Sequence, residues 1–315
     1  MKRACLIFCA AFSTAQAAVW VGYDGGLAQY TDAGEFVHRF DNYRRPVSLI
    51  LDRERRRLWF IDAYDYKLVC FDVDAGAEVF AVAAAAHSPD IGTTDLKLYL
   101  SDKRPIEPSL ALDGGDGGVW LADFFGHQVA KYDAAGKEIF RSGAFHEPFA
   151  AAALGDGFAW VAGGVRTLNL VGPDGKSALS QSGVNEARAL GYDATRGLAV
   201  VADYRNNRIL GVDRSGRMKR RVTGVELPFA LAVDAARGVV WVATDYERVK
   251  KISLDNEEIA ATVGEQESIA ALALDGEGRV WVAYGEAGEV VCYSPAGEKV
   301  ASIAKVKKPT GVAAE

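Results

Sequence analysis

The segment ALDGGDGGVWLADFFGHQVAKYDAAGKEI, residues 111–139, decides the fold. It contains an alternating run ending in Asp113, a Gly-rich turn, a strand bearing Trp120, a polar loop, a third strand and an Asp-x-x-Gly turn. Short apolar runs separated by Asp- and Gly-containing turns mark antiparallel hairpins. The same frame surrounds every other tryptophan: Trp20, Trp59, Trp160, Trp241 and Trp281. Successive tryptophans lie 39, 61, 40, 81 and 40 residues apart. Laying GLAVVADYRNNRILGVDRSGR, residues 197–217, on the frame puts Val200 in the Trp position and splits the 81 into 40 and 41. Seven units result. One carries an insertion of roughly twenty residues near 81–107, and a fixed period in this range belongs to propellers and solenoids.

Each unit reads as four short strands, such as SLALD (109–113), GVWLA (118–122), QVAKYD (128–133) and the run after DAAGK. No segment sustains a helical period, so the chain is expected to be all-β. The predicted architecture is a seven-bladed β-propeller of four-stranded antiparallel blades spanning 18–315. In the tryptophan strand, residues i and i+2 share a face, which pairs Trp120 with Ala122, Trp160 with Ala162, Trp241 with Ala243 and Trp281 with Ala283. A large residue beside a small one fills the taper toward a propeller axis, so the tryptophans are assigned to the core. PTGVAAE (309–315) resembles a first strand, and VWVGYDGG (19–26) a second strand. Together they complete one blade and close the ring, which removes exposed sheet edges.

Composition limits the function. Half the residues are hydrophobic and a quarter are charged, as in a folded globular chain. MKRACLIFCAAFSTAQA (1–17) has a basic start, a short apolar run and an Ala-x-Ala end, the pattern of a secretory signal peptide cleaved after Ala17. A secreted or periplasmic location is therefore expected, with no membrane span. Removing Lys2 and Arg3 from the 36 basic residues leaves 34 against 42 acidic, a mature charge of −8. That charge disfavours nucleic acid as a partner. The basic runs RERRR (53–57), KRR (219–221) and KVKK (305–308) read as solvated faces. Cys70 and Cys292 fall at one repeat position in distant units and are expected to be free, buried thiols.

VADYRNNRILGVDRSGR, residues 201–217, resembles an NHL repeat: Asp203, Asn206 or Asn207, Arg208-Ile209, and a turn from Asp213 to Gly216. WLADFFGHQVAKYDAAGKE follows the pattern more loosely, with His127-Gln128 in place of Asn-Arg. NHL propellers are often six-bladed, so the resemblance offers a six-bladed ring as the alternative. A weaker similarity extends to virginiamycin B lyase and gluconolactonase-like propellers, which implies a metal-dependent hydrolase or lyase with an axial site. The lyase resemblance would require a histidine late in the chain, and none follows His146. The lactonase resemblance implies carboxylate ligands; Asp62, Asp123 and Asp203 share one repeat position and are oxygen donors suited to Ca²⁺. The same three residues also suit a turn-fixing role, accepting loop hydrogen bonds, and this is the preferred reading. No H-x-H, H-E-x-x-H or C-x-x-C spacing occurs, so no cofactor is expected. GGDGG (114–118) is a hairpin turn rather than a phosphate loop.

The loops differ by side. First-to-second and third-to-fourth turns are short, whereas second-to-third and inter-blade loops carry aromatic and arginine residues. Such side chains in fixed loops have the composition of binding hot spots. The expected ligand-binding set is Tyr64, Tyr66, Phe124, Phe125, His127, His146, Arg166, Tyr204, Arg205, Tyr246 and Arg248. The expected function is recognition of a protein, peptide or small ligand on that face, with catalysis by an axial metal as the alternative.

Overall fold

The computed structural model describes residues 18–315 except 85–105, 165, 265 and 267. Residues 1–17, His87 and LKLYL (96–100) thus lie outside the described residues. Seven four-stranded antiparallel sheets form a ring whose inner strands touch in succession. Blade 1 begins with Ala18–Tyr23 and is completed on its inner side by Pro309–Ala314. Blades 2 to 7 follow in chain order, with inner strands beginning at Pro46, Ser109, Ala150, Ala187, Ala230 and Ile269. Seven sheets exclude the six-bladed alternative. Residues 81–83, expected to open the insertion, complete the outer strand Ala77–Ala83 of blade 2. A 3-10 turn at Tyr204–Asn206 is the only helical element among the described residues, and no helix there is long and apolar enough to cross a membrane.

The tryptophan repeat has a direct packing explanation. Seven hydrophobic clusters occupy the seven seams between blades. Trp120 and Ala122 of blade 3 pack with Ala151 and Val161 of blade 4. Trp160 and Ala162 of blade 4 meet Ala199 and Val201 of blade 5. Each tryptophan therefore fills the seam to the following blade, while the opposite face of its strand receives the preceding tryptophan. In the blade 5–6 seam, Val200 takes this place with Ala202, against Val240 and Val242. All six tryptophans are buried, each contributing about 2–3 kcal/mol through removed apolar area. Because both faces are covered, the second strands are apolar between their ends, and in blades 1, 3, 4, 5 and 7 every residue of that strand is buried.

The side of sparse turns is held by charge. Asp52, Asp193 and Asp234 end their inner strands, are buried, and each accepts the amide of an arginine three residues later at 3.0 Å. The guanidinium of each arginine returns to the same aspartate. Arg196 then crosses to blade 6, bonding Asp255 at 2.8 and 2.9 Å and the Ala235 carbonyl at 3.1 Å. Gly238, at φ 65, leaves room for Arg196; a Cβ there would overlap its Nη2. RERRR faces solvent, as expected, and its arginines are also paired. Arg53 donates to the Leu274 and Ala314 carbonyls at 2.6 and 3.0 Å, and Arg56 pairs with Glu315 at 2.9 Å. These residues stitch blade 2 to blades 7 and 1.

Candidate functional site

Strand direction places all second-to-third and inter-blade loops on one side of the ring. Three aspartates at the ends of second strands tie those loops down. Asp62 accepts the amides of Arg44 and Arg45 at 3.0 Å, thereby fixing the loop that enters blade 2. Asp123 accepts Gly126 N at 3.0 Å and Gln128 Nε2 at 2.9 Å. Asp203 accepts Asn185 N at 2.6 Å, Asn206 Nδ2 at 3.0 Å and Arg208 Nε at 2.5 Å. The NHL-like residues are thus one hydrogen-bond set, centred on the buried Asp203 carboxylate, that links a strand end to two loops. The three carboxylates stand in blades 2, 3 and 5, and a Ca²⁺ ion at any of them would displace these donors.

The starts of the inner strands surround an axial cavity of about 290 Å³ on the loop-rich side. Its wall is mostly Val, Leu, Ile and Ala, interrupted by Ser48, Glu107, Arg188, Phe229 and Thr310. Arg188 is the charged residue at the blade 5 rim. Its guanidinium lies 3.6 Å from the Tyr204 ring centroid and bonds Glu186 Oε1 at 2.5 Å. Burial opposes its charge, but Glu186 outweighs this and raises its pKa. Tyr204 and Tyr246 hydroxyls meet at 2.5 Å, and Tyr246 stacks on Phe229 with centroids 5.1 Å apart. Arg205 pairs with Glu186 at 2.6 Å. Arg45, paired with Glu107 at 2.7 Å, lines an adjoining cavity of about 270 Å³.

The remaining predicted residues form two further groups. Arg44 covers the Tyr64 ring at 3.9 Å. Tyr66 is half-buried nearby, its hydroxyl pushed up to about 12 by burial and by the charges of Asp123 and Glu107. At the blade 3–4 seam, Phe125 is partly buried and His127 and His146 are exposed, with imidazole centroids 4.7 Å apart. Arg166 and Arg248 are exposed at loop ends away from the axial lining. Two expectations of exposure are corrected. Phe124 is 2% exposed and packs on Phe149 in the seam core. Tyr204 is 1% exposed beneath Arg188. Both immediately follow a seam-filling strand, so they continue its packing before the loop turns outward.

Sequence reasoning missed Arg188, Glu186, Phe229, Arg45 and Glu107. One signal was available for Arg188. In the five blades whose inner strand ends at or just before an aspartate, counting back five from it gives Val47, Pro108, Phe229 and Ala270, but Arg188 in blade 5. All five line the cavity.

No family model matches the sequence, and no curated protein matches it. Among solved structures, the chain is similar to a functionally unknown protein from Desulfotomaculum acetoxidans, with a TM-score of 0.74, 13% identity, and 95% and 99% of the two chains covered. It is also similar to a streptogramin B lyase, with a TM-score of 0.70, 11% identity, and 94% and 91% covered. Apo AztD from Citrobacter koseri gives a TM-score of 0.63 at 12% identity, with 96% and 98% covered. At these identities the likeness shows a shared architecture, and this chain is built on the β-propeller fold, with seven blades.

Proposed function

We propose that the protein is an exported recognition module that holds a small ligand, or the end of a peptide, at the loop-side mouth of the axial channel. The meeting of Arg188 and Phe229 in the wall of an axial cavity of about 290 Å³, with Tyr246 stacked behind Phe229, carries this reading. Pockets of this kind combine an apolar wall with few polar groups that set orientation. A ligand with an aromatic or aliphatic body and a hydrogen-bond-accepting group matches that lining. The rim loops are fixed by buried aspartates, so little ordering entropy opposes binding. The NHL-like pattern and the leader-like residues 1–17 support a recognition role outside the cytoplasm.

A thermal-shift screen of the chain against dipeptides and aromatic carboxylates tests the reading. Stabilising compounds should lose their effect in Phe229→Ala and Arg188→Gln, but keep it in Arg237→Ala on the opposite side. Stabilisation unaffected by both mouth substitutions would refute the location. One bound Ca²⁺ per purified chain, with hydrolytic turnover lost in Asp123→Asn, would replace recognition by the metal-dependent hydrolase reading.

A further inference from the structure

A second constellation lies off the axis, where the second-to-third loop of blade 3 meets the loop entering blade 4. The former contributes His127; the latter contributes His146 and Glu147. Of four histidines in the chain, two thus meet beside one carboxylate. One nitrogen from each ring and one carboxylate oxygen all lie within 4.8 Å of one another. Glu147 Oε2 is 3.8 Å from His146 Nδ1, and the His146 side chain is 75% exposed.

We infer that His127, His146 and Glu147 form a binding site for a transition-metal dication of the zinc class. Two imidazoles and a carboxylate are the donor set of three-ligand zinc sites, which leave a fourth position open. Calcium and magnesium instead take six or more oxygens, which this site does not supply. Tetrahedral zinc with bonds of about 2.0–2.1 Å places its ligand atoms roughly 3.4 Å apart. Rotation of the exposed His146 side chain closes the remaining gap, and a hydrated ion reaches the site directly from solvent. His146 also lines an adjoining groove of about 390 Å³ with Phe145, Thr167 and Asn169.

The hydrogen bonding supplies a specific signature. The Glu147 amide donates to His127 Nδ1 at 3.2 Å, so it occupies the lone pair on that nitrogen. A metal at Nδ1 takes the place of this amide. A metal at Nε2 requires the ring proton on Nδ1, which turns the acceptor into a second donor and breaks the same bond. Either route releases the Glu147 amide. His127 and Glu147 both have left-handed backbone, at φ 51 and 48, conformations that non-glycine residues seldom adopt. This site is separate from the axial mouth, and its test is independent of the axial reading.

Titrating the tag-free chain with ZnCl₂ and with CaCl₂ by calorimetry is the direct test. One Zn²⁺ per chain and no Ca²⁺ is the expected result. His127→Ala, His146→Ala and Glu147→Gln should each weaken Zn²⁺ by about tenfold or more, and the double histidine variant should lose the site. Circular dichroism melting would verify that each variant folds. Cobalt(II) should give visible d–d absorption that the double variant lacks, and saturating Zn²⁺ should accelerate hydrogen exchange of the Glu147 amide. Absence of Zn²⁺ binding to the unaltered chain, or equal binding by the folded double variant, would overturn the assignment.

Discussion

Replacing Trp241 and Trp281 separately by Phe makes one chemical change at two equivalent positions of the repeat. Both side chains are fully buried, so loss of the second ring costs each variant a similar amount, about 1–2 kcal/mol. Their indole N–H groups differ. Trp281 Nε1 donates to Asp275 at 3.1 Å, whereas buried Trp241 Nε1 has no partner among the described residues. Phe at 281 therefore loses a charge-assisted bond, while Phe at 241 removes an unsatisfied donor. Asp275 keeps Arg279 at 2.6 Å and two amides at 3.0 Å, so the low end of each range applies. That is about 1.5 kcal/mol for the lost bond and about 1 kcal/mol for the relieved donor. Lys251 Nζ lies 5.7 Å from the Trp241 ring, an attraction that Phe retains in part and that is at most about 1 kcal/mol. Trp281→Phe should thus cost about 1.5–2.5 kcal/mol more than Trp241→Phe. Urea unfolding followed by far-ultraviolet circular dichroism measures both midpoints at a common slope. Equal costs, or a greater cost at 241, would refute this account.

Deleting residues 309–315 removes the inner strand of blade 1 and should lower stability by several kcal/mol or abolish cooperative folding; an unchanged melting curve would place ring closure elsewhere. Arg196→Ala leaves buried Asp193 without its cation and breaks the bridge to blade 6, with an expected cost of about 2–3 kcal/mol in urea unfolding. Burial pushes the Cys70 and Cys292 thiols up to about 12, so at pH 8 roughly one in ten thousand is thiolate. A chain lacking 1–17 should show no fast-reacting thiol toward Ellman's reagent at pH 8 when native and two when denatured. Cleavage after Ala17 predicts an exported mass beginning at Ala18, which intact mass spectrometry checks.

The blade count was legible because a bulky residue must fill each seam, which imposes a period that survives the loss of Trp at Val200. Asp62, Asp123 and Asp203 were legible as turn anchors because a carboxylate at a strand end next to two loops has donors within reach. Phe124 and Tyr204 were misjudged because loop membership does not specify which way a side chain points. Arg188 escaped notice because a single charge in an apolar strand looks like an irregularity until seven strand starts are brought around one axis. The pairings of RERRR were equally hidden, since Leu274, Ala314 and Glu315 lie far away in sequence.

The pairing of Val19 with Ala314 and Trp20 with Ala313 also governs the order of assembly. A ribosome releases the outer three strands of blade 1 long before the inner one exists. Until then Ala18–Tyr23 presents an open edge, and the blade 1–2 seam lacks Ala313. Blades 2 to 7 can build on neighbours already made, but blade 1 must wait for nearly the whole polypeptide. Closing so long a loop makes this pairing entropically the most demanding step. The delay has a consequence for the nascent chain: a ring that cannot close early stays open until the final residues emerge.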